Sequence, residues 1–312
     1  MSARVVFMGS PEFAAPSLRA LAAVGYSIEL VVTQPDRPAG RGGKLQAPAV
    51  KVAAEALGVP VFQPETMREE SVHERLRSVG ADVFVVAAYG RILPQAVLDI
   101  PRRGCLNVHA SLLPKWRGPS PIVAAIRAGD AETGVSIMQL VRKMDAGPVI
   151  STVAMPIDSD DTAGSLEPRL AAAGAGELVR VLPGWLDGAL PAAPQDEERA
   201  TYCHIISKQD GWLRAEMTAS EAERAVRAFN PWPGAFVQYR DERLSIWRAS
   251  VFSDEPPATA GTLRVIGRAP AVACAQGWLR MDEVQRPGGK RLSAQQFLAG
   301  ERGELPPSVG LA

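Results

Sequence analysis

The sequence predicts an α/β chain: a doubly wound, mostly parallel sheet of Rossmann-like type, followed by a small OB-like β-barrel. Three observations carry this prediction. Apolar, β-branched runs alternate with helical patterns through the first half, as parallel strands joined by crossover helices require. One run, Val83–Ala88 (VFVVAA), is near-continuously apolar, like a strand covered on both faces. Beyond residue 209 the pattern changes to five or so short runs in about 80 residues, separated by Gly, Pro and Asp turns.

The elements follow in order. Arg4–Met8 (RVVFM) reads as a short buried strand running into Gly9-Ser10-Pro11, where Ser10 is placed to cap a helix and Pro11 to take its first turn. Phe13, Leu18, Leu21 and Val24 then recur at helical spacing until Gly25. Ile28–Thr33 is the second strand, Val50–Leu57 the second helix, Val61-Phe62 a short strand, and His73–Val79 part of a third helix. Cys105–His109, Val135–Leu140 and Val149–Met155 are the remaining strands of this part. Asp187–Gln209 is rich in Pro, Ala and charge without sustained periodicity. The expected organisation is a first domain over 1–189, a linker over 190–208 and a second domain over 209–312. The second domain has a helix at Ser220–Ala228, then strands at Ala235–Tyr239, Leu244–Val251, Gly261–Ile266, Ala271–Cys274 and Trp278–Val284.

Composition excludes several classes. With 46% apolar and 22% charged side chains in 312 residues, general disorder is excluded. No apolar run approaches the ~18–20 residues of a membrane helix, so no membrane partner is expected. The four apolar residues before Gly9 are too few for a secretory signal. Three widely spaced cysteines fit neither a disulfide frame nor a metal knuckle, so no metal is expected and a reducing cytoplasm is the natural compartment. The 34 cations balance the 34 anions, which argues against grip on nucleic acid by bulk charge. Of those cations 28 are Arg, through phosphate recognition or through coding bias.

The chemistry concentrates in Gly104–Pro121, GCLNVHASLLPKWRGPSP. Asn107 and His109 are two apart on an apolar strand and leave the same face. At the carboxyl end of that strand they would enter the crevice where open α/β sheets bind ligands. An amide N–H stabilises a developing oxyanion and an imidazole moves protons, so the pair suits carbonyl chemistry; a buried polar pair satisfied by backbone is the alternative. Asp145, in Arg142–Pro148, is a third candidate, since a carboxylate beside an imidazole holds its tautomer and raises its basicity; an ordinary turn residue is its alternative. His73, on a charged helix, and His204 read as surface residues. Met8–Glu12 is not a G-x-G-x-x-G, which counts against a dinucleotide. The loop Pro35–Lys51 carries Arg37, Arg41, Lys44 and Lys51 against Asp36, with glycines that would let it order on an RNA end; from its length alone a solvated loop is the better reading. Arg264, Arg268, Arg280, Arg286, Lys290 and Arg291 are open between phosphate contacts and plain surface.

LNVHASLLPKWRGPSPI, the later MDAG, PDRPAGRGGKLQAPAVK near the start and RAFNPWPGAF in the second domain closely resemble the methionyl-tRNA formyltransferases, within the wider family that uses 10-formyltetrahydrofolate. The resemblance implies a catalytic formyltransferase domain, then a tRNA-binding OB-like domain. It implies Asn107, His109 and Asp145 as the catalytic set. Ser111, Leu112, Leu113 and Pro114 match the folate-contacting run, and Tyr89 and Ile92, in VVAAYGRI, the wall of the pterin pocket. Arg41, with Arg37 and Lys44 in the same loop, matches the part that grips the acceptor stem. The implied reaction moves the formyl group of 10-formyltetrahydrofolate, a cosubstrate, onto the α-amino group of initiator methionyl-tRNA, in a cytoplasmic monomer. The same three residues would serve a formyltransferase acting on an amino-sugar nucleotide or glycinamide ribonucleotide, or a hydrolase with water as acceptor. A non-catalytic tRNA-binding protein with a decayed site is the reading from another class, and the intact triad argues against it.

Overall fold

The computed structural model describes residues 3–39, 43–301 and 303–312. The chain divides into two compact units: one runs to Pro121 and adds Glu132–Pro156 and Glu167–His204, the other comprises Ile122–Ala131, Ile157–Leu166 and Ile205–Ala312.

The first unit is built on β1 (Arg4–Gly9), α1 (Ala15–Ala23), β2 (Ser27–Val32), β3 (Arg37–Ala39), β4 (Lys44–Gln46), α2 (Ala49–Ala56), β5 (Val61–Phe62), α3 (Glu70–Val79), β6 (Val83–Ala87), α4 (Gln95–Leu98) and β7 (Cys105–His109). Helix α5 (Pro121–Ala128) lies almost wholly in the second unit, and β8 (Glu132–Gln139) and β9 (Val149–Pro156) return to the first. Helix α6 (Ala163–Asp187) enters the first unit at Glu167. Seven strands form one sheet in the order β5-β2-β1-β6-β7-β8-β9. The strands from β5 to β7 are parallel, as the sequence predicts, whereas β8 pairs antiparallel with both β7 and β9. Most of β8 is buried irrespective of face, so its hydropathy carries no sign of its direction.

Alternate residues explain the layers. Val6, Met8, Leu30, Val32, Phe84, Val86 and Cys105 form one core with Val72 and Leu76 of α3 and Val97 and Leu98 of α4. On the other side α6 approaches β7 and β8 closely: a Cβ on Gly174 would lie 2.7 Å from Val108 and 3.1 Å from Val135. Helix α6 has no counterpart among the predicted elements; Pro168 and Pro183 lie inside it, and its Ala/Gly runs blur the apolar stripe. Strand β1 sits between β2 and β6, so the winding reverses there. The crevice beyond the carboxyl ends at such a reversal is the ligand site of doubly wound sheets. Ser10 does not cap a helix; its hydroxyl donates to the Tyr89 carbonyl and accepts from the Gln34 N–H, tying the ends of β1, β2 and β6 together.

The second unit contains α7 (Ala219–Ala228), β10 (Ala235–Tyr239), β11 (Glu242–Phe252), β12 (Leu263–Ile266), β13 (Ala269–Ala273), β14 (Trp278–Gln285), β15 (Arg291–Ser293) and α8 (Ala294–Gly300). Thr218 and Glu221 form a reciprocal capping box at the start of α7. The antiparallel sheet runs β10-β11-β14-β13-β12, with β15 on β14. Residues 307–310 hydrogen-bond to both ends of that order: the Leu263 N–H donates to Pro307, and Gly310 exchanges two bonds with Gln238 of β10. The sheet therefore curls into the barrel-like form expected, around Phe229, Ile246, Leu279, Met281 and Phe297.

Candidate active site

Strand β7 places Asn107 and His109 on the face that carries Cys105, toward the carboxyl end of the parallel strands. Asn107 is only 8% exposed. Among the described residues its side chain meets no hydrogen-bond partner. Neither amide atom is among the described buried side-chain atoms left without a partner, so the amide keeps access to solvent and to a bound ligand. That separates it from a polar side chain satisfied by backbone.

His109 is 6% exposed, with Nε2 3.1 Å from the Trp116 carbonyl and Nδ1 3.9 Å from Asp145 Oδ2. The carbonyl only accepts, so the neutral ring carries its hydrogen on Nε2 and presents a lone pair at Nδ1, facing the carboxylate. The bond that orients the ring comes from Trp116, and Asp145 faces the reactive nitrogen through charge at a separation too long for a direct hydrogen bond. Asp145 lies between β8 and β9, with φ +47°, and its Oδ2 accepts from the Gly118 N–H at 2.8 Å. Gly118 has φ +120°, and a Cβ there would fall 2.3 Å from the Cys203 carbonyl oxygen, so only glycine brings this N–H to Asp145.

The remaining expected residues divide. Ser111 is fully buried, and its hydroxyl donates to the Lys115 carbonyl at 2.6 Å, so its side chain is used inside the loop. Leu113 is buried, while Leu112 and Pro114 keep part of their surface open. Tyr89 is buried with its hydroxyl 3.2 Å from Met67 Sδ, and burial pushes that hydroxyl up to about 12. Ile92 is 84% exposed at an open cleft of about 450 Å³, lined also by Thr66, Met67, Arg68, Arg91 and Pro94. Arg37 is on β3, largely exposed, 3.1 Å from Glu65. Lys44 begins β4, the antiparallel partner of β3, so short strands flank the expected loop; Arg41 lies outside the described residues. Of the barrel cations, Arg286 is engaged internally by Glu242 and Glu301, Arg280 by Asp282, and Arg291 lies over the Trp247 ring. No group of three or more metal-ligating side chains occurs among the described residues, and no helix among them is long and apolar enough to cross a membrane.

One expectation is corrected: His73 is not a surface residue. It is 5% exposed, with Nε2 2.8 Å from the Met67 carbonyl and Nδ1 3.2 Å from Glu70, because it lies on the inner side of an otherwise charged helix. Sequence reasoning also passed over Arg117, whose side chain is fully buried. It donates to Gln195 at 3.0 Å, to both oxygens of Glu197 at 3.0 and 3.1 Å, and to the Tyr202 hydroxyl at 3.3 Å. These partners come from the segment read as a linker, which up to His204 is fastened along the first unit. There the Trp116 N–H donates to Thr201 Oγ1, the Cys203 N–H to the Arg117 carbonyl, and Lys143 to Glu197. Arg117 and Lys143 hold the Glu197 carboxyl down at about 2. Nothing local singled it out, since it follows Lys115-Trp116 in the loop and its partners lie about 80 residues away without periodicity.

The chain is similar to known proteins in both of its parts. The formyl transferase family matches residues 3–182, and the formyl transferase C-terminal domain matches residues 205–302. The chain is 50% identical over 301 residues to a methionyl-tRNA formyltransferase of Thiobacillus denitrificans, covering 95% of this chain and 96% of that protein. It is 47% identical over 307 residues to one of Dechloromonas aromatica, covering 98% and 97%. Among solved structures, the fold is similar to an N-formyltransferase from Helicobacter canadensis in complex with folinic acid and dTDP-3-aminofucose. That match has a TM-score of 0.64 and 15% identity, covering 92% of this chain and 100% of the other. It is also similar to HypX from Aquifex aeolicus in complex with tetrahydrofolic acid, with a TM-score of 0.62, 15% identity, and coverage of 96% of this chain and 47% of that one.

Proposed function

The chain belongs to the formyl transferase family, and from that premise we propose that it transfers the formyl group of 10-formyltetrahydrofolate to the α-amino group of methionyl-tRNA. It acts on the initiator species that begins translation, as a cytoplasmic monomer. The observation that carries the choice of acceptor is the similarity to methionyl-tRNA formyltransferases along nearly the whole chain, both domains included.

The residues present fit the donor. Asn107 offers an accessible amide without a protein partner among the described residues, and Leu112, Pro114 and Ile92 offer open apolar surface for a flat ring. The exposed Arg68 stands at the Ile92 cleft, where positive charge suits a carboxylated tail. 10-Formyltetrahydrofolate supplies the formyl carbon, activated by its attachment to N10. A bond forms between the amine nitrogen and that carbon, the bond from carbon to N10 breaks, and the amine's proton ends on N10. His109 Nδ1 takes the proton as the amine attacks and returns it to N10. The Asp145 carboxylate, 3.9 Å away, steadies the charge the ring carries between the two transfers. Such contacts are often long in a free enzyme and tighten with substrate bound. Asn107 donates to the formyl oxygen as negative charge builds there, a role typically worth ~10²–10³-fold in rate. Arg37, Arg41 and Lys44, on and between β3 and β4, contact the end of the acceptor stem.

The test is an acceptor panel. Labelled 10-formyltetrahydrofolate is mixed with methionyl-tRNA, glycinamide ribonucleotide, an amino-sugar nucleotide, or water alone. Label is expected in methionyl-tRNA. Transfer to a small amine or to water, with none to methionyl-tRNA, overturns the reading.

A further inference from the structure

We propose that Gln195 is a positioning residue for Asp145, aimed by the buried guanidinium of Arg117; this rests on the reading of Asn107, His109 and Asp145 as the reacting set. Asp145 stands at φ +47°, in the left-handed region that is uncommon outside glycine, although Asp enters it more readily than most residues. Two contacts hold this turn. The Gly118 N–H holds the carboxylate, while the Gln195 amide donates to the carbonyls of Asp145 at 2.8 Å and Gly147 at 2.7 Å, spanning the turn that contains Asp145.

The Gln195 amide has one orientation. Its oxygen accepts from Arg117 Nε at 3.0 Å. A guanidinium only donates and a carbonyl only accepts, so the reversed amide would set donor against donor and acceptor against two acceptors. Arg117 is fixed in turn: its side chain is fully buried, Glu197 takes two of its bonds, and its backbone pairs with Thr201 and Cys203. Gly118 follows Arg117 directly in the chain. Both grips on Asp145, the side-chain one through Gln195 and the backbone one through Gly118, therefore meet at the same residue.

The consequence is catalytic rather than architectural. Losing the Gln195 donors releases the turn carbonyls and lets the carboxylate drift from His109 Nδ1. A displacement of about 1 Å near reacting groups costs up to ~10²-fold in rate. In the full-length protein, Gln195→Ala is expected to lower kcat by about 10–100-fold, with KM for methionyl-tRNA and for 10-formyltetrahydrofolate changed less than about twofold. Gln195→Glu keeps an acceptor for Arg117 but removes both donors, and is expected to match Gln195→Ala. Asp145→Asn alone is expected to lower kcat at least as far. In the Asp145→Asn background, Gln195→Ala is expected to add no further loss, because it acts through that carboxylate alone.

Thermal unfolding of each variant gives the folded fraction used to correct kcat. A Gln195→Ala enzyme with normal kcat per folded molecule, or a double variant whose losses multiply, overturns the proposal and leaves the site assignment standing. An Asp145→Asn enzyme of normal kcat overturns the site assignment and the proposal with it.

Discussion

Truncating Asn107 to alanine separates the two readings of a buried polar side chain. A structural amide would leave orphaned partners behind, each worth ~1–3 kcal/mol in the interior. Among the described residues Asn107 has no such partner, although it is only 8% exposed. Its removal breaks no protein hydrogen bond and leaves no buried group without a partner, since the amide itself reaches solvent. Stability is therefore expected to change by no more than about 1 kcal/mol, or roughly 4 °C in Tm. The rate is expected to fall ~10²–10³-fold, about 2.7–4 kcal/mol of transition-state stabilisation. Neighbouring Ser136→Ala is the control. Ser136 is fully buried, donates to the Ser111 carbonyl at 2.7 Å and accepts from the Leu113 N–H at 3.0 Å, so its loss orphans two groups and lowers Tm. The assay is the initial rate of formyl-methionyl-tRNA formation at saturating donor, with Tm measured on the same preparations. An Asn107→Ala enzyme within about threefold of the wild-type kcat, or one whose Tm falls as far as that of Ser136→Ala, refutes the reasoning.

Gly118→Ala puts a Cβ 2.3 Å from the Cys203 oxygen at φ +120°, so it is expected to lower both Tm and kcat, and normal values of both would show that the segment yields freely. Glu197 is held at about 2, below its ordinary 4.5, so its contribution to stability is present above the ordinary value and lost as pH falls through about 2. A plot of Tm against pH is accordingly expected to fall less steeply over that window in Glu197→Gln, and superimposable plots would refute the contribution. Deleting residues 307–312 removes the backbone bonds to Leu263 and Gln238 at both ends of the curled sheet, and is expected to lower the unfolding midpoint of the second unit, followed by circular dichroism or hydrogen exchange.

How far the sequence reached follows from where the interactions lie along it. Strand β7 was legible to the residue, because its apolar pattern is bounded by Gly104 and a Pro-rich loop, and with it came the shared face of Asn107 and His109. The direction of β8 was not legible, since a strand buried on both faces reads the same either way. His73 was misread because the charged residues around it on α3 set the average while its own position faces inward. The roles of Arg117 and Gln195 were out of reach for another reason. Arg117 is joined to partners 78 to 85 residues away by side-chain bonds, in a segment of irregular backbone that neither helical nor strand periodicity marks.

The balance of 34 cations against 34 anions bears on how RNA is gripped once the cations are placed. Nine of the ten cation–ring contacts among the described residues use Arg, and only one uses Lys. Arg243 lies 3.9 Å from the centre of the Phe236 ring and Arg291 3.9 Å from that of Trp247, while Arg286 sits between Glu242 and Glu301. A planar guanidinium can lie flat on a ring, whereas an ammonium meets it only as a point charge, so part of the arginine excess serves packing, whatever coding bias contributes. Arginines paired with carboxylates, as Arg286 is, have their charge partly neutralised, so the surplus of Arg over Lys overstates the charge available for RNA. With no net charge to supply a general field, affinity for tRNA is expected to rest on a few placed cations, Arg37, Arg41 and Lys44 first among them. Each phosphate neutralised adds about 0.7–0.9 to the slope of log K against log salt. A shallow slope is expected, losing close to one contact in Arg41→Ala. A steep slope that Arg41→Ala leaves unchanged would move the grip to other cations.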